Sequence, residues 1–394
     1  MKIMAVNAGS SSLKFQLLDM PSETLLVSGV VERIGMNDSI FTIKFDGKRD
    51  KEITSIKTHK VAVDMLLRKL LDLKILSSLD EIEGVGHRVV HGGEFFSDSV
   101  IITKEVTDAI LKVSELAPLH NPANLTGINA FTQALPNVKE VAVFDTAFHQ
   151  TMDQVTYMYS VPYEWYTKYG VRKYGFHGTS HKYVSLRAAD MLGLPVEEAK
   201  IIVCHIGNGV SLCAVDGGKS IDTSMGFTPL AGIPMGTRSG DIDPAIVQYM
   251  ADKENKSLDE VISELNKKSG YLGLSELSSD SRDLWEAVER GDKKSILAVE
   301  KQGKIISDYI GAYFLALGGC DAIVFTAGIG ENASETRKLV ADRLGALGVG
   351  LDYEKNLTRG KETVISTDDS KIKLLLIPTN EEVMIARDTV RLIK

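Results

Sequence analysis

The residues best suited to chemistry in this sequence are arginines and histidines set among glycines. They occur as Gly86-His87-Arg88-Val89-Val90-His91-Gly92-Gly93, Phe176-His177-Gly178-Thr179-Ser180-His181 and Gly236-Thr237-Arg238-Ser239-Gly240-Asp241. A guanidinium among small residues can project over a surface and grip a carboxylate or phosphate through two parallel hydrogen bonds. An ordinary salt bridge accounts for either arginine as well. Oxygen donors form a second set. Asp145 ends the apolar run 141–144, and Glu381 and Glu382 follow the run 374–377. Ligands of α/β sheets gather at the carboxyl ends of strands, and Mg²⁺ prefers oxygen while keeping water and substrate phosphate among its ligands. Zinc suits the two H-x-x-x-H spacings poorly. His87 and His91 would stand about 13 Å apart on a strand, and His177 and His181 straddle Gly178.

Phosphate chemistry is suggested by other segments. A Walker A loop is absent, because Gly218-Lys219-Ser220 has Cys213 where the leading glycine belongs, and neither HRD nor DFG occurs. One pattern does appear twice, as IMAVNAGSSSLKFQLLD and IIVCHIGNGVSLCAVD: strand, glycine turn, strand, aspartate. The copies lie about half the chain apart, which points to duplication. Their tips carry Asn7, Ser10, Ser12 and Lys14 in one case, and His205, Asn208 and Gly209 in the other. Short donors beside free backbone N–H groups suit phosphate, although plain hairpin turns explain the same residues. Finally, Gly328, Gly330 and Ala333 form G-x-G-x-x-A after an apolar strand and before a helical stretch near Ser334. That spacing fits either a nucleotide approaching the backbone or a tight strand-to-helix turn.

These residues need a scaffold to hold them. Apolar, β-branched runs at 3–6, 13–18, 85–90, 141–144, 201–204, 210–215, 322–325 and 374–377 predict strands. Helical spacing relates Val63, Leu66, Leu67, Leu70 and Leu71; Leu258, Val261, Ile262 and Leu265; and Ile306, Ile310, Tyr313 and Leu317. The chain is therefore α/β, and its 394 residues exceed what one core supports, so two domains are expected. With 44% hydrophobic and 25% charged residues it is an ordinary globular sequence, and a net charge of -8 disfavours nucleic acid and anionic membranes as partners. Cys204, Cys213 and Cys320 show no CxxC spacing, which suits a reducing, cytoplasmic setting. The opening MKIMAVNAGSSS is too briefly apolar for a signal peptide, and Gly318, Gly319 and Asp321 break the apolar stretch 309–325 before it reaches membrane-spanning length.

VNAGSSSLKF, GHRVVHGGE, FDTAFH, YGFHGTSH, HIGNGVS, MGTRSGDIDP, SSDSRD, FTAGIGEN and PTNEE resemble, in order and over nearly the whole chain, the motifs of the acetate kinases, within the superfamily of sugar kinases, Hsp70 and actin. Only Pro229-Leu230-Ala231-Gly232 departs, since an acidic residue is expected at Ala231. The resemblance implies two duplicated ribonuclease-H-like (actin-like ATPase) domains with an interdomain cleft, a homodimer, and transfer of phosphate from ATP to acetate, giving ADP and acetyl phosphate. Residues 1–148, with 384–394 returning, would form the N-terminal domain, and 149–383 the C-terminal domain for nucleotide binding and dimerisation. By motif, Asn7 and Glu381 would hold Mg²⁺, with Mn²⁺ as an alternative metal. Lys14 and the turn of His205, Ile206, Gly207, Asn208 and Gly209 would contact the ATP phosphates. Asp280, Ser281, Arg282, Gly328, Ile329, Gly330, Glu331 and Asn332 would hold adenosine. Arg88 would bind acetate within an apolar pocket of Val90, Leu119, Phe176 and Pro229. Asp145, His177 and Arg238 would be catalytic.

Acetate is already ionised at pH 7, so the nucleophile needs little help from a base. The difficulty is bringing a carboxylate to a triphosphate, which calls for cations and fixed donors. Asp145 therefore suits orienting an arginine or a metal-bound water better than accepting a proton. Propionate or another short-chain carboxylate is an alternative acceptor. Two rival classes are an NAD-dependent oxidoreductase, with Asp352 as ribose ligand, and a nucleotide switch like the Hsp70 ATPase. The first leaves little chain after its fingerprint for further βα units. The second gives Arg88 and Arg238 no substrate.

Overall fold

In the computed structural model, which describes all 394 residues, the two repeated segments form matching antiparallel hairpins. The first pairs β1 (Lys2–Ala8) with β2 (Ser12–Asp19) and sets Asn7 opposite Lys14. Its sheet continues through β3 (Thr24–Glu32), β4 (Ser39–Phe45), β5 (Lys48–Thr54), β6 (Ile82–Val89), β7 (Val100–Ile101) and β8 (Lys139–Phe144), in the order β5-β4-β3-β2-β1-β6-β8-β7. The second hairpin pairs β9 (Lys200–Ile206) with β10 (Val210–Asp216). With β11 (Lys219–Thr223), β12 (Ala322–Thr326), β13 (Thr363–Val364) and β14 (Lys373–Leu376) it forms the order β11-β10-β9-β12-β14-β13. In each sheet the first hairpin strand runs parallel to two successive strands, and a two-residue antiparallel strand closes that edge. The duplicated ribonuclease-H-like architecture is therefore present, with β4 and β5 as an addition to the first sheet.

Burial explains why the central strands were legible, although β3 and β4, inside the first sheet, were not read from the sequence. Every residue of β12 and six of the seven in β9 are buried, the continuous apolar signature of strands covered on both faces. By contrast, β5 is made of exposed and half-buried residues, five of them charged, at the sheet's edge. Such a strand gives no apolar run to read. Among helices, Thr58 accepts the Val61 N–H to start His59–Asp72, which buries Val63, Leu66, Leu67 and Leu70 in the first core. Lys293–Leu317 buries Ile306, Ile310, Tyr313 and Leu317, and Gly318 ends it in the left-handed conformation. Leu258–Lys267 behaves differently: of its apolar stripe only Val261 is fully buried, while Leu258 and Ile262 are exposed.

The chain divides into one unit of residues 1–148 and 380–394 and another of 149–379. The return segment begins at Asn380 rather than at 384, because Asn380 caps the helix Glu381–Ile393 and that whole helix packs on β1, β6 and β8. All three cysteines are free, and no helix is long and apolar enough to cross a membrane.

Candidate active site

In the first unit the site is built on the carboxyl ends of β6 and β8. These strands are parallel neighbours with Arg88 opposite Val143, and the Asp145 N–H continues the ladder to the Val89 carbonyl at 3.0 Å. Asp145 is 1% exposed, and its carboxylate forks with Arg88 through Nε (2.9 and 3.2 Å) and Nη2 (2.6 Å). Burial works against the Arg88 charge, but Asp145 outweighs it and lifts the guanidinium pKa above its ordinary value. One edge of the guanidinium is thus committed to Asp145, and the Nη1 edge bonds to no protein group.

The helix Glu381–Ile393 brings its first residue to the same place, with Glu381 Oε2 4.0 Å from Arg88 Nε. Burial pushes the Glu381 carboxyl up to about 7; Arg88 pulls against this, and Asp145 and Glu382 repel its charge. Three carboxylates around one arginine leave a local negative excess. Asn7, next to last in β1 and opposite Lys14, offers a further amide oxygen, the donor type that a hard divalent cation takes.

Two buried asparagines, not singled out from the sequence, hold the loop after β6. Asn124 accepts the Val90 N–H (3.1 Å) and donates to the Ala8 carbonyl (2.8 Å), while Asn121 accepts the His91 N–H and donates to the His91 carbonyl. A buried polar residue on an otherwise apolar helix face, as in Asn121–Ala134, is the signal that marks them. Asn124→Ala would strand two buried backbone groups and is expected to lower unfolding free energy by about 2 to 4 kcal/mol, measured by urea denaturation. Val90 is buried, but Leu119 is 73% exposed.

The second unit carries its own cluster of candidate residues, around the hairpin tip between β9 and β10. His177 caps the helix Gly178–Leu192 from the left-handed region (φ 56°), and its ring stacks on His205 at 4.0 Å. Gly175 just before it also has positive φ, and a Cβ there would lie 2.3 Å from Thr223 Cγ2, so only glycine fits the approach to His177. Arg238 lies across Gly209, where a Cβ would meet its Nη2 at 2.7 Å and His177 Cε1 at 3.5 Å. Its Nη1 donates to the Pro229 carbonyl at 2.8 Å. No carboxylate pairs with Arg238, and burial lowers its pKa. A part-buried guanidinium bonded only to a carbonyl keeps donors that could receive an anion.

Beside this lies a cavity of about 780 Å³ lined by Gly207, Asn208, Asp280, Ser281, Arg282, Gly328, Ile329 and Asn332 among the expected residues. Asp280 forks with Arg282, whose hydrogen bond holds its carboxyl down at about 2. The glycine segment after β12 is not a plain turn but a short helix, Ala327–Asn332. It turns Gly330 and Glu331 elsewhere: the Gly330 carbonyl accepts from buried Arg337, and Glu331 accepts the Thr379 N–H. Ile206 is wholly buried at the end of β9. Trp285 and Arg359 line the cavity but escaped the sequence reading; Trp285 falls one turn after Ser281, and Arg359 is another glycine-flanked arginine. Asp352 accepts N–H groups of Glu354 and Lys355, so it is not poised as a ribose ligand.

A family model described as the Acetokinase family matches residues 2–387. An acetate kinase of Geobacillus sp. (strain WCH70) is 61% identical over 391 residues, covering 99% of this chain and 98% of the relative. Among solved structures, Porphyromonas gingivalis acetate kinase superposes with a TM-score of 0.96 at 44% identity and full coverage of both chains. A propionate kinase from Francisella tularensis subsp. tularensis SCHU S4 gives 0.93 at 42% identity, with 99% of each chain covered. The shared sheet order, the two guanidinium sites and this full-length likeness have one explanation, which removes the dinucleotide reading: the chain belongs to the acetokinase family.

Proposed function

We propose that the chain transfers the γ-phosphoryl group of ATP to acetate, giving acetyl phosphate and ADP, and runs in both directions. The observation that carries this is Arg88: a guanidinium locked on one edge by buried Asp145 offers the other to a carboxylate beside Val90. The acetate oxygen attacks the γ-phosphorus, the bond to the β–γ bridging oxygen breaks, and its electron pair leaves with ADP. No proton need move from the nucleophile, since a carboxylic acid is ionised at pH 7. Asp145 orients Arg88 and offsets its charge, which explains a carboxylate in a site for an anion. In this reading Arg238 and His177 of the second unit are assigned to the transferring group, Lys14 and the turn 205–209 to the phosphates, and the 780 Å³ cavity of the second unit to adenosine. Mg²⁺ fits Asn7 and Glu381 and would neutralise phosphate charge when bound. A homodimer and a cytoplasmic setting, supported by the family resemblance and the free cysteines, complete the reading.

Trapping acyl phosphate as the hydroxamate, with ATP and acetate supplied and NAD reduction as control, tests the activity. Hydroxamate formation without NAD reduction is expected, and its absence would overturn the reading. Glu381→Gln removes one charge from the oxygen set at nearly constant shape. Its Mg²⁺ requirement at saturating ATP should rise about tenfold, and an unchanged midpoint would take Glu381 out of the metal site.

Acetate should be preferred over propionate because Val90 closes the acyl pocket. Arg88 is next to last in the strand β6 and Val90 lies just beyond its end, two residues away. An added methylene in such a pocket costs roughly 1 to 3 kcal/mol, so Val90→Ala should improve kcat/KM for propionate relative to acetate by about tenfold. A ratio equal to wild type in the folded variant would place the preference elsewhere.

A further inference from the structure

Behind His177 lies a buried hydrogen-bond chain that the mechanism above does not use. Ser211, on β10 and wholly buried, has its Oγ 2.9 Å from His177 Nδ1 and 2.8 Å from His181 Nε2. These are its only side-chain partners. A hydroxyl carries one proton, so it can donate to one histidine and must accept from the other. Which way the chain runs is decided at His181. That ring is wholly buried, and burial, with His149 and His205 adding repulsion, holds its pKa well below the ordinary value, so it is neutral and has a single N–H. Its Nδ1 meets no hydrogen-bond partner. Placing the proton there would bury an orphan donor, which structures avoid more strongly than an idle acceptor lone pair. The proton therefore sits on Nε2 and is donated to Ser211.

With Ser211 accepting from His181, its own hydrogen points to His177 Nδ1. That nitrogen must then be the acceptor, and the His177 proton belongs on Nε2. An imidazolium at His177 would need Ser211 to accept twice, leaving the hydroxyl hydrogen without a partner in a buried site. It would also place a cation face to face on the His205 ring at 4.0 Å.

We propose that Ser211 is a positioning residue, which with His181 fixes His177 as the neutral Nε2–H tautomer and so aims an N–H donor, not a proton or a full charge, at the transferring phosphoryl oxygens. Arg238 supplies the charge and His177 the directed hydrogen bond. This rests on the reading that His177 meets the phosphoryl group.

The test uses the full chain labelled with ¹⁵N-histidine. Two-bond ¹H–¹⁵N correlation spectra distinguish the Nδ1–H, Nε2–H and doubly protonated rings, and the loss of one ring's signals in His177→Asn assigns them. Wild type should show His177 and His181 both as Nε2–H. In Ser211→Ala the His177 ring should become a tautomer mixture and kcat should fall about 10-fold to 100-fold, with both KM values within about twofold. Ser211→Thr keeps the hydroxyl and should restore the single tautomer and most of kcat. A wild-type His177 protonated on Nδ1 or on both nitrogens would overturn the proposal. So would a Ser211→Ala variant with unchanged tautomer or kcat, or a folded Ser211→Thr as impaired as the alanine. Should the threonine fail to fold, the wild-type and alanine spectra decide. A chain that forms no acyl phosphate would overturn the role given to His177 while leaving its tautomer standing, so the two failures are distinguishable.

Discussion

Arg238→Ala is expected to lower kcat roughly 1000-fold while moving the KM values for acetate and ATP by no more than about threefold. The guanidinium has no carboxylate to neutralise it and is fastened only through Nη1 to the Pro229 carbonyl, so its charge is held ready for an anion. Charge that develops on the transferring phosphoryl group is where such a cation acts most strongly, and about 4 kcal/mol of transition-state stabilisation corresponds to that factor. Steady-state kinetics in both directions check it. A variant that binds ATP about 100-fold more weakly, with kcat intact, would instead make Arg238 a ground-state nucleotide ligand.

Arg88→Lys is expected to raise the KM for acetate about tenfold to 150-fold, with a much smaller effect on ATP. Lysine keeps the charge but cannot hold Asp145 with one edge and a substrate carboxylate with the other. Its ammonium would turn to Asp145, the nearer buried charge. Asp145→Asn makes the complementary test. It keeps the shape but weakens the anchor on Nε and Nη2, so kcat/KM for acetate should drop although no substrate contact is removed. Equal changes in both KM values for Arg88→Lys would move Arg88 out of the acceptor site.

The sequence by itself determined the duplicated hairpins, the strands buried on both faces and the motifs that carry Arg88, His177 and Arg238. Those features are local: a glycine turn between two apolar runs, or a guanidinium among small residues, follows from backbone freedom and side-chain period over about ten residues. Edge strands such as β5 escaped, because their half-exposed, charged residues leave no apolar pattern. Tertiary structure decided what each charge meets. Arg88 and Asp145 are paired only because β6 and β8 are parallel neighbours in one register. Arg238, equally glycine-flanked, is left without a carboxylate. Nothing within either motif distinguishes the two, since the partner arrives from a distant strand and its presence depends on sheet order. The same holds for Ser211, whose two histidines come from one helix and the residue that precedes it, and for Glu381, which joins the first unit because its helix packs on β1, β6 and β8. Residue types set which chemistry was available; register and packing set which of those groups were neutralised and which were left to act on a substrate.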